Sequence, residues 1–336
     1  MSFENILISI LVFLALVFIH EFGHFFMAKL SGIRVEEFAL GMGPKVFGKK
    51  KGETQYSIRL IPIGGFCKLT GEDGDSDDSK SFTRKPIIVR MAVIFFGPLM
   101  NLLLAVLILS LVVTYSPVIS EVLIGKPAYE AGIVKGDKIL KINEKEIKEW
   151  DEVKAIISNN DDLPLNITIK RKGQIEDILV KPVTENIEEG AIIGIKPTLK
   201  VKSFSIKQGV KATISTVGLM FDFLFKLFTR RESAEDVSGV IGIFVIINET
   251  AKYGLLYVLN LTAFLSINLA IINLLPIPAL DGGRLLFLFI EWVRKKPFGA
   301  EKEGFINFVG FVMLMIFAAI ITFRDLIKFN IINFFR

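Results

Sequence analysis

A nearly unbroken apolar run, Ile6 to Ile19 interrupted only by Ser9, leads directly into His20-Glu21-Phe22-Gly23-His24, and the 336 residues contain no other histidine. The pattern H-E-x-x-H needs a helix, where residues four apart share a face and two imidazoles can reach one metal ion. Glu21 then stands beside the metal, placed to take a proton from a bound water. Run and motif together point to a helix carrying metal chemistry inside a membrane. The plainer reading, two core histidines paired with Glu21, requires both histidines of the chain to fall at metal spacing by accident.

The rest of the chain agrees with a membrane setting. Hydrophobic residues make up 51%, the mean hydropathy is +0.53, and apolar stretches long enough to span a bilayer recur. The single cysteine, Cys67, has no partner for an intramolecular disulfide and argues against a thiolate zinc cluster. The net charge of +5 is modest. Its basic residues gather in loops beside apolar segments, which fits membrane topology and not nucleic-acid binding. Met1-Ser2-Phe3-Glu4 lacks a basic n-region and the first apolar segment holds the motif, so no removable signal peptide is expected.

Four membrane segments are expected, near 5–29, 88–115, 254–275 and 305–323. Lys45, Lys49, Lys50, Lys51, Arg84, Lys85 and Arg90 lie between the first two, and Arg294, Lys295, Lys296 and Lys302 between the last two. The positive-inside rule makes both loops cytoplasmic, so both termini and the whole region 116–253 lie outside the cytoplasm. His20 is fourteen residues beyond Ile6, about 21 Å along a helix in a hydrocarbon core of about 30 Å. The motif therefore sits within the bilayer, nearer the cytoplasmic face, where ionisable groups face a protein interior or a wet cavity. Val240 to Ile247 is apolar but too short to cross and is expected to be an interfacial or buried piece.

Two histidines do not complete a catalytic zinc site, which takes three protein ligands and a water. The third must be a carboxylate or Cys67. Asp281, in Asn273-Leu274-Leu275-Pro276-Ile277-Pro278-Ala279-Leu280-Asp281-Gly282-Gly283, follows the third span where that span reaches the cytoplasmic half. Topology thus brings it to the level of the histidine pair. Asp281 also suits the cap of a helix starting near Gly283, but the incomplete histidine pair at matching depth favours the ligand.

Between the spans, Val46-Phe47-Gly48, a basic turn, and Gln55 to Ile61 read as a β-hairpin, with Gly41, Gly43, Gly64 and Gly65 permitting tight bends. Its free edge, with Ile58 and Leu60 on the second strand and Gly41 and Gly43 at the bend, is expected to take up an extended substrate segment; a plain covering hairpin is the alternative. Glu72 to Asp78 is an acidic, solvated loop without the calcium-loop pattern. Residues 117–200 form one soluble α+β domain, with strands near 119–123, 137–143, 165–171 and 175–182 and a helix over 150–157 that Asp151 caps. Within it, Gly125 to Asp137 (GKPAYEAGIVKGD) resembles the loop and turn of bacterial PDZ domains, which either capture a peptide strand or act as spacers and gates. Residues 204–231 are apolar but broken by Lys207, Lys211, Asp222 and Lys226, as in amphipathic helices lying on the outer membrane surface. The fold class is therefore a polytopic α-helical membrane protein with four transmembrane helices, a membrane-associated β-hairpin and one extracytoplasmic PDZ domain. Its boundaries are 1–116, 117–200, 201–253 and 254–336.

His20 to His24 in the first span, Phe96-Gly97-Pro98-Leu99-Met100-Asn101 in the second, a PDZ insert, and Asn273 to Gly283 in the third resemble, in order, the site-2 protease family of bacterial intramembrane zinc metalloproteases. A single PDZ domain is similar to the Gram-positive-like branch. The resemblance implies one Zn2+ per chain held by His20, His24 and Asp281, with Glu21 as general base. It implies that Asn273 contacts substrate and that Pro276 and Pro278 break the helix to turn Asp281 toward the metal. It also implies a multi-pass protein of the bacterial plasma membrane. The implied substrates have a single transmembrane segment, are pre-cleaved by a site-1 protease, and are of anti-sigma-factor type or remnant signal peptides. The competing class is a non-catalytic PDZ-bearing membrane scaffold, against which the retention of Glu21 with all three ligands argues. A haem carrier fails on geometry, because histidines four apart on one helix cannot take opposite faces of an iron.

Overall fold

α1 (Phe3–Leu30) is apolar on every side, as a helix surrounded by lipid and by other helices requires. In the computed structural model the described residues are 3–72, 74, 77–160, 163–186, 190–229, 238–296 and 299–329. The chain forms two compact units, one of Met1–Ser110, Ile206–Glu249 and Leu259–Arg336, the other of Leu111–Ser205 with Thr250–Val258. Among the described residues four helices are long and apolar enough to cross a membrane, namely Ile6–Leu30, Ile87–Leu109, Leu255–Leu274 and Glu301–Lys328.

After α1 come β1 (Val35–Lys51) and β2 (Thr54–Leu69). Each is bent in half, at Gly41 and Gly43 in β1 and at Gly64 in β2, all with φ between 82° and 84°. The register makes four segments of the two strands. Residues 37–40 pair with 65–68 on one side and with 55–58 on the other, and 45–51 pair with 54–59 beyond that. The expected hairpin is therefore a small sheet. Ile58 pairs with both Leu40 and Phe47, so its strand is enclosed; among the described residues the outer strands of this sheet are 45–51 and 65–69, and on the latter the Leu69 N–H donates to Glu72 Oε2 at 3.3 Å. Ile58 and Leu60 still expose their side chains.

α2 (Ile87–Leu109) ends six residues before the expected 115. The run Leu111 to Tyr115 is β-branched and aromatic, favours a pleated strand, and opens β3 (Leu111–Val122) of the second unit. That unit continues with α3 (Pro127–Glu130), β4 (Lys138–Ile142), β5 (Lys145–Glu146), α4 (Trp150–Ser158), β6 (Leu165–Arg171), β7 (Gln174–Val180), β8 (Val183–Asn186), β9 (Gly190–Ile192) and β10 (Ile195–Phe204). The main sheet has the order β10-β3-β4-β6-β7, with β5 on β4, and β8 and β9 form a separate pair. Leu165, Ile167 and Ile169 alternate inward along β6 and meet Ile139, Ile142 and Val153 in the core. The cap of α4 is Glu149, in a reciprocal box with Glu152, and not Asp151; a carboxylate at the cap and another three residues on satisfy the free amides of the first turn. Segment Thr250–Val258 is fastened to this unit, with Tyr257 Oη donating to the Pro197 carbonyl at 2.8 Å and Lys196 Nζ 2.8 Å from Tyr253 Oη.

α5 (Ile206–Phe228) is one helix, not several. Met220, Val217 and Leu224 pack against Ala105 of α2 and Ala263, Ile267 and Ile271, so one face is covered by protein. α6 (Val240–Ala251) has 12 residues, too few to span. Its first turn is held by Asp325, whose Oδ2 accepts from Gly239 N at 2.9 Å and Gly242 N at 2.8 Å. α7 (Leu255–Leu274), α8 (Asp281–Arg294) and α9 (Ala300–Lys328), which carries Asp325, complete the chain.

The second unit carries a pH-sensitive tie. Buried Asp137 accepts from Arg171 Nε at 2.9 Å and Nη2 at 2.7 Å, and from Val134 N at 2.9 Å. Burial pushes the Asp137 carboxyl up, but these bonds outweigh it and hold the group below its ordinary value. A folded value below the unfolded one means that the carboxylate stabilises the unit above about pH 4 and that this contribution is lost as pH falls through the folded value. Asp137→Asn is expected to cost about 2 kcal/mol at neutral pH and less at each step below about pH 4. Denaturant unfolding of the full chain in detergent, read by Trp150 fluorescence in a Trp292→Phe background, measures it; a cost that does not change with pH overturns the assignment.

Candidate metal centre

His20 and His24, one turn apart on α1, set their rings nearly perpendicular, at 83° with centroids 4.9 Å apart. Their Nε2 atoms are 3.3 Å apart, and Asp281 Oδ2 lies 3.1 Å from the first and 3.5 Å from the second. Ligand–metal bonds of about 2.0–2.1 Å in a tetrahedron give edges of about 3.3–3.4 Å. The triangle of these three atoms therefore matches one face of a tetrahedral site. Both histidines are buried, and Asp281 Oδ2 is a buried oxygen that makes no hydrogen bond of ordinary geometry among the described residues. Two nitrogens and an oxygen converging on one point, away from water, fit zinc. Among the described residues this is the one such group of metal-binding side chains.

The turn before α8 delivers Asp281. α7 stops at Leu274, Pro276 and Pro278 keep the chain from continuing as helix, and Ala279 takes a left-handed φ of 72° with its N–H on Asn307 Oδ1 at 3.1 Å. α8 then starts at Asp281 itself. The N-cap is Leu280, with no side-chain cap, so the carboxylate is not used as a cap. The two glycines that follow are required by contact. A methyl at Gly282 would stand 2.2 Å from the Leu275 carbonyl oxygen, and one at Gly283 2.4 Å from that of Ile277. Two ion pairs hold α8 in place, Arg90 with Glu291, whose closest atoms are 2.5 Å apart, and Arg284 with Glu72.

α2 backs the histidines with one stripe of residues a turn apart, Val93, Gly97 and Asn101. The Val93 carbonyl takes a hydrogen bond from His24 Nδ1 at 2.9 Å, which leaves Nε2 as the free lone pair. A methyl at Gly97 would stand 2.3 Å from His24 Nε2, so the ring occupies the space that a side chain would need. The Asn101 amide is 3.4 Å from His20 Nδ1. Glu21 sits beside the triad and accepts from the Cys67 backbone N–H in β2.

Of the residues expected from sequence, the structure brings His20, Glu21, His24 and Asp281 together. Pro276 and Pro278 shape the turn. Asn273 is half-buried one residue from the end of α7, and Gly41 and Gly43 form the β1 bend. The amino-acid pattern alone assigns no role to Val93, Gly97, Asn101, Gly282 or Gly283. Gly97 and Asn101 stand in the Phe96–Asn101 motif, but the motif does not say what they do. Val93 acts through its carbonyl, so its side chain carries no signal of the contact.

Gly97→Ala is expected to displace the His24 ring and to strip most bound metal from the purified protein, read as zinc per chain by elemental analysis. Full zinc content in a folded Gly97→Ala protein rejects the packing argument.

The model of the family described as Peptidase family M50 matches residues 8–317. A Clostridium acetobutylicum protein whose name places it with the zinc metalloproteases is 37% identical, over 97% of this chain and 98% of the relative. The zinc metalloprotease RasP of Geobacillus kaustophilus is 33% identical over 98% of this chain and 99% of the relative. The regulator of sigma-W protease RasP of Bacillus subtilis is 31% identical over 97% and 99%. Among solved structures, the PDZ domain of an SdrC-like protein from Listeria monocytogenes covers 25% of this chain and 85% of its own, at 21% identity and a TM-score of 0.22. The chain belongs to peptidase family M50, the site-2 proteases, and is a membrane-embedded zinc metalloprotease.

Proposed function

We propose that His20, His24 and Asp281 hold one zinc ion per chain and that Glu21 is the general base for peptide-bond hydrolysis within a transmembrane segment. The convergence of the three ligand atoms at 3.1–3.5 Å, with Glu21 beside them, carries this reading. Held by these three residues, zinc would supply Lewis acidity for the scissile carbonyl and for a water near neutral pH. Glu21 takes the proton from the attacking water on its carboxylate and returns it to the leaving amine nitrogen. The Cys67 N–H holds that carboxylate on the side of the triad.

A substrate helix hides its carbonyls in its own hydrogen bonds and must unwind before attack. Residues 65–69 of β2, an outer sheet edge next to Glu21 on which the Cys67 and Leu69 N–H groups bond the Glu21 and Glu72 carboxylates, lie where the unwound stretch would be held. Ile58 and Leu60 contribute exposed side chains, Gly41 and Gly43 the bend that presents them, and the Asn273 amide a polar contact near the end of α7. Pro276 and Pro278 keep the turn to Asp281 open. The basic loops between the first two and the last two spans favour a cytoplasmic-side centre, with both termini and the PDZ-like unit extracytoplasmic. The name of the Bacillus subtilis relative, a regulator of sigma-W protease, supports substrates of anti-sigma-factor type; substrates with one span, already shortened by another protease, complete the proposal.

Cleavage of a model single-span substrate by purified protein tests the roles. Glu21→Gln is expected to keep its zinc and lose at least about 100-fold in rate, whereas Asp281→Asn is expected to lose zinc and activity together. Wild-type cleavage by Glu21→Gln removes the general base, and full zinc occupancy in Asp281→Asn removes the third ligand.

A further inference from the structure

Resting on that assignment of the metal ligands, we infer that Asn101 is a positioning residue, which fixes the His20 imidazole in its metal-binding tautomer by accepting the Nδ1 proton. His20 directs Nε2 at Asp281 Oδ2 and His24 Nε2. A neutral imidazole with its lone pair on Nε2 carries its proton on Nδ1, and a buried N–H without an acceptor costs about 1–3 kcal/mol. The Asn101 amide is the group at His20 Nδ1, 3.4 Å away through Nδ2. Asn101 is wholly buried, and its Oδ1 is a buried acceptor with no hydrogen-bond partner among the described residues. Nδ2 facing a protonated Nδ1 sets donor against donor. The two amide atoms have almost the same shape, so a half-turn of the amide places Oδ1 on the Nδ1 proton and resolves both faults.

The arrangement mirrors the other histidine, where the Val93 carbonyl accepts from His24 Nδ1 at 2.9 Å. One stripe of α2 thus orients both rings, once through backbone and once through a side chain. Ser266 Oγ, on α7, donates to the Asn101 carbonyl at 2.8 Å. That bond uses the backbone of Asn101, so replacing the side chain leaves it in place. Asn101 reaches no ligand position itself and acts only through His20.

The test uses the full-length protein in detergent, with zinc alone as the probe in competition with a chromogenic chelator. Asn101→Leu, close in size but unable to accept, is expected to weaken zinc binding about 10–100-fold. Asn101→Asp, which keeps the acceptor, is expected to stay within a few-fold of wild type, and KM for a model substrate is expected to hold in both. Asn101→Ala carries the same expectation as the leucine variant and replaces it if that protein does not fold, with the melting of the zinc-free form as the check. Wild-type affinity in the folded leucine or alanine variant overturns the inference, as does an aspartate variant as weak as leucine. If the wild-type protein itself binds no zinc, the metal assignment fails instead, and the two failures are thereby told apart.

Discussion

The contact on which the metal centre depends is the approach of α1 to α2 at Gly23. A methyl there would stand 2.2 Å from the Phe96 carbonyl oxygen and 2.9 Å from Gly97 Cα, so the two backbones touch without side chains between them. In lipid, where apolar side chains gain little by leaving their surroundings, small residues that allow close packing drive helix association. The same approach brings Val93 within hydrogen-bond reach of His24 and leaves its ring the space above Gly97. Glycine inside the H-E-x-x-H motif is thus as much a part of the centre as the histidines.

The other half of the centre is built by interrupting a helix. Two prolines, a left-handed Ala279 and two contact-bound glycines turn the chain between α7 and α8 so that Asp281 opens a new helix facing α1. A carboxylate placed by the start of a short helix keeps its position only if that helix is held still. The partly buried pairs Arg90–Glu291 and Arg284–Glu72 do this from two sides. Removing one member of such a pair leaves a poorly solvated charge, which costs far more than a surface ion pair returns.

Much of this centre is legible in the amino-acid sequence. Apolar length locates the four long helices, and the histidine spacing picks out two of the three side chains that converge. The lack of a third histidine, with the parity of the spans, points to Asp281. What stays hidden shares a physical character: it is backbone geometry that side-chain identity does not encode. The bends that turn two strands into four segments, the Val93 carbonyl and the Cys67 N–H belong to this class. The end of α2 escapes for a different reason, since Leu111 to Tyr115 is as apolar as a span and declares itself a strand only by β-branching and by its partners in β10. Ile58 reads as an edge residue because a hairpin has two strands, and only the register encloses it.

The convergence of His20, His24 and Asp281 is itself an argument about energy. Three acceptor atoms 3.1–3.5 Å apart in a buried site repel one another unless a cation or protons lie among them. The chain nevertheless holds them there through contacts that do not involve the metal: a carbonyl on one ring, glycine packing behind it, two ion pairs on the helix of the carboxylate. The ordering cost is met by the scaffold, so metal binding has little rearrangement to drive and its free energy adds to the stability of the folded chain. The same scaffold sets the Glu21 carboxylate beside the three converging atoms, tied by the Cys67 N–H of β2, so a fourth ionisable group is also placed without help from the metal.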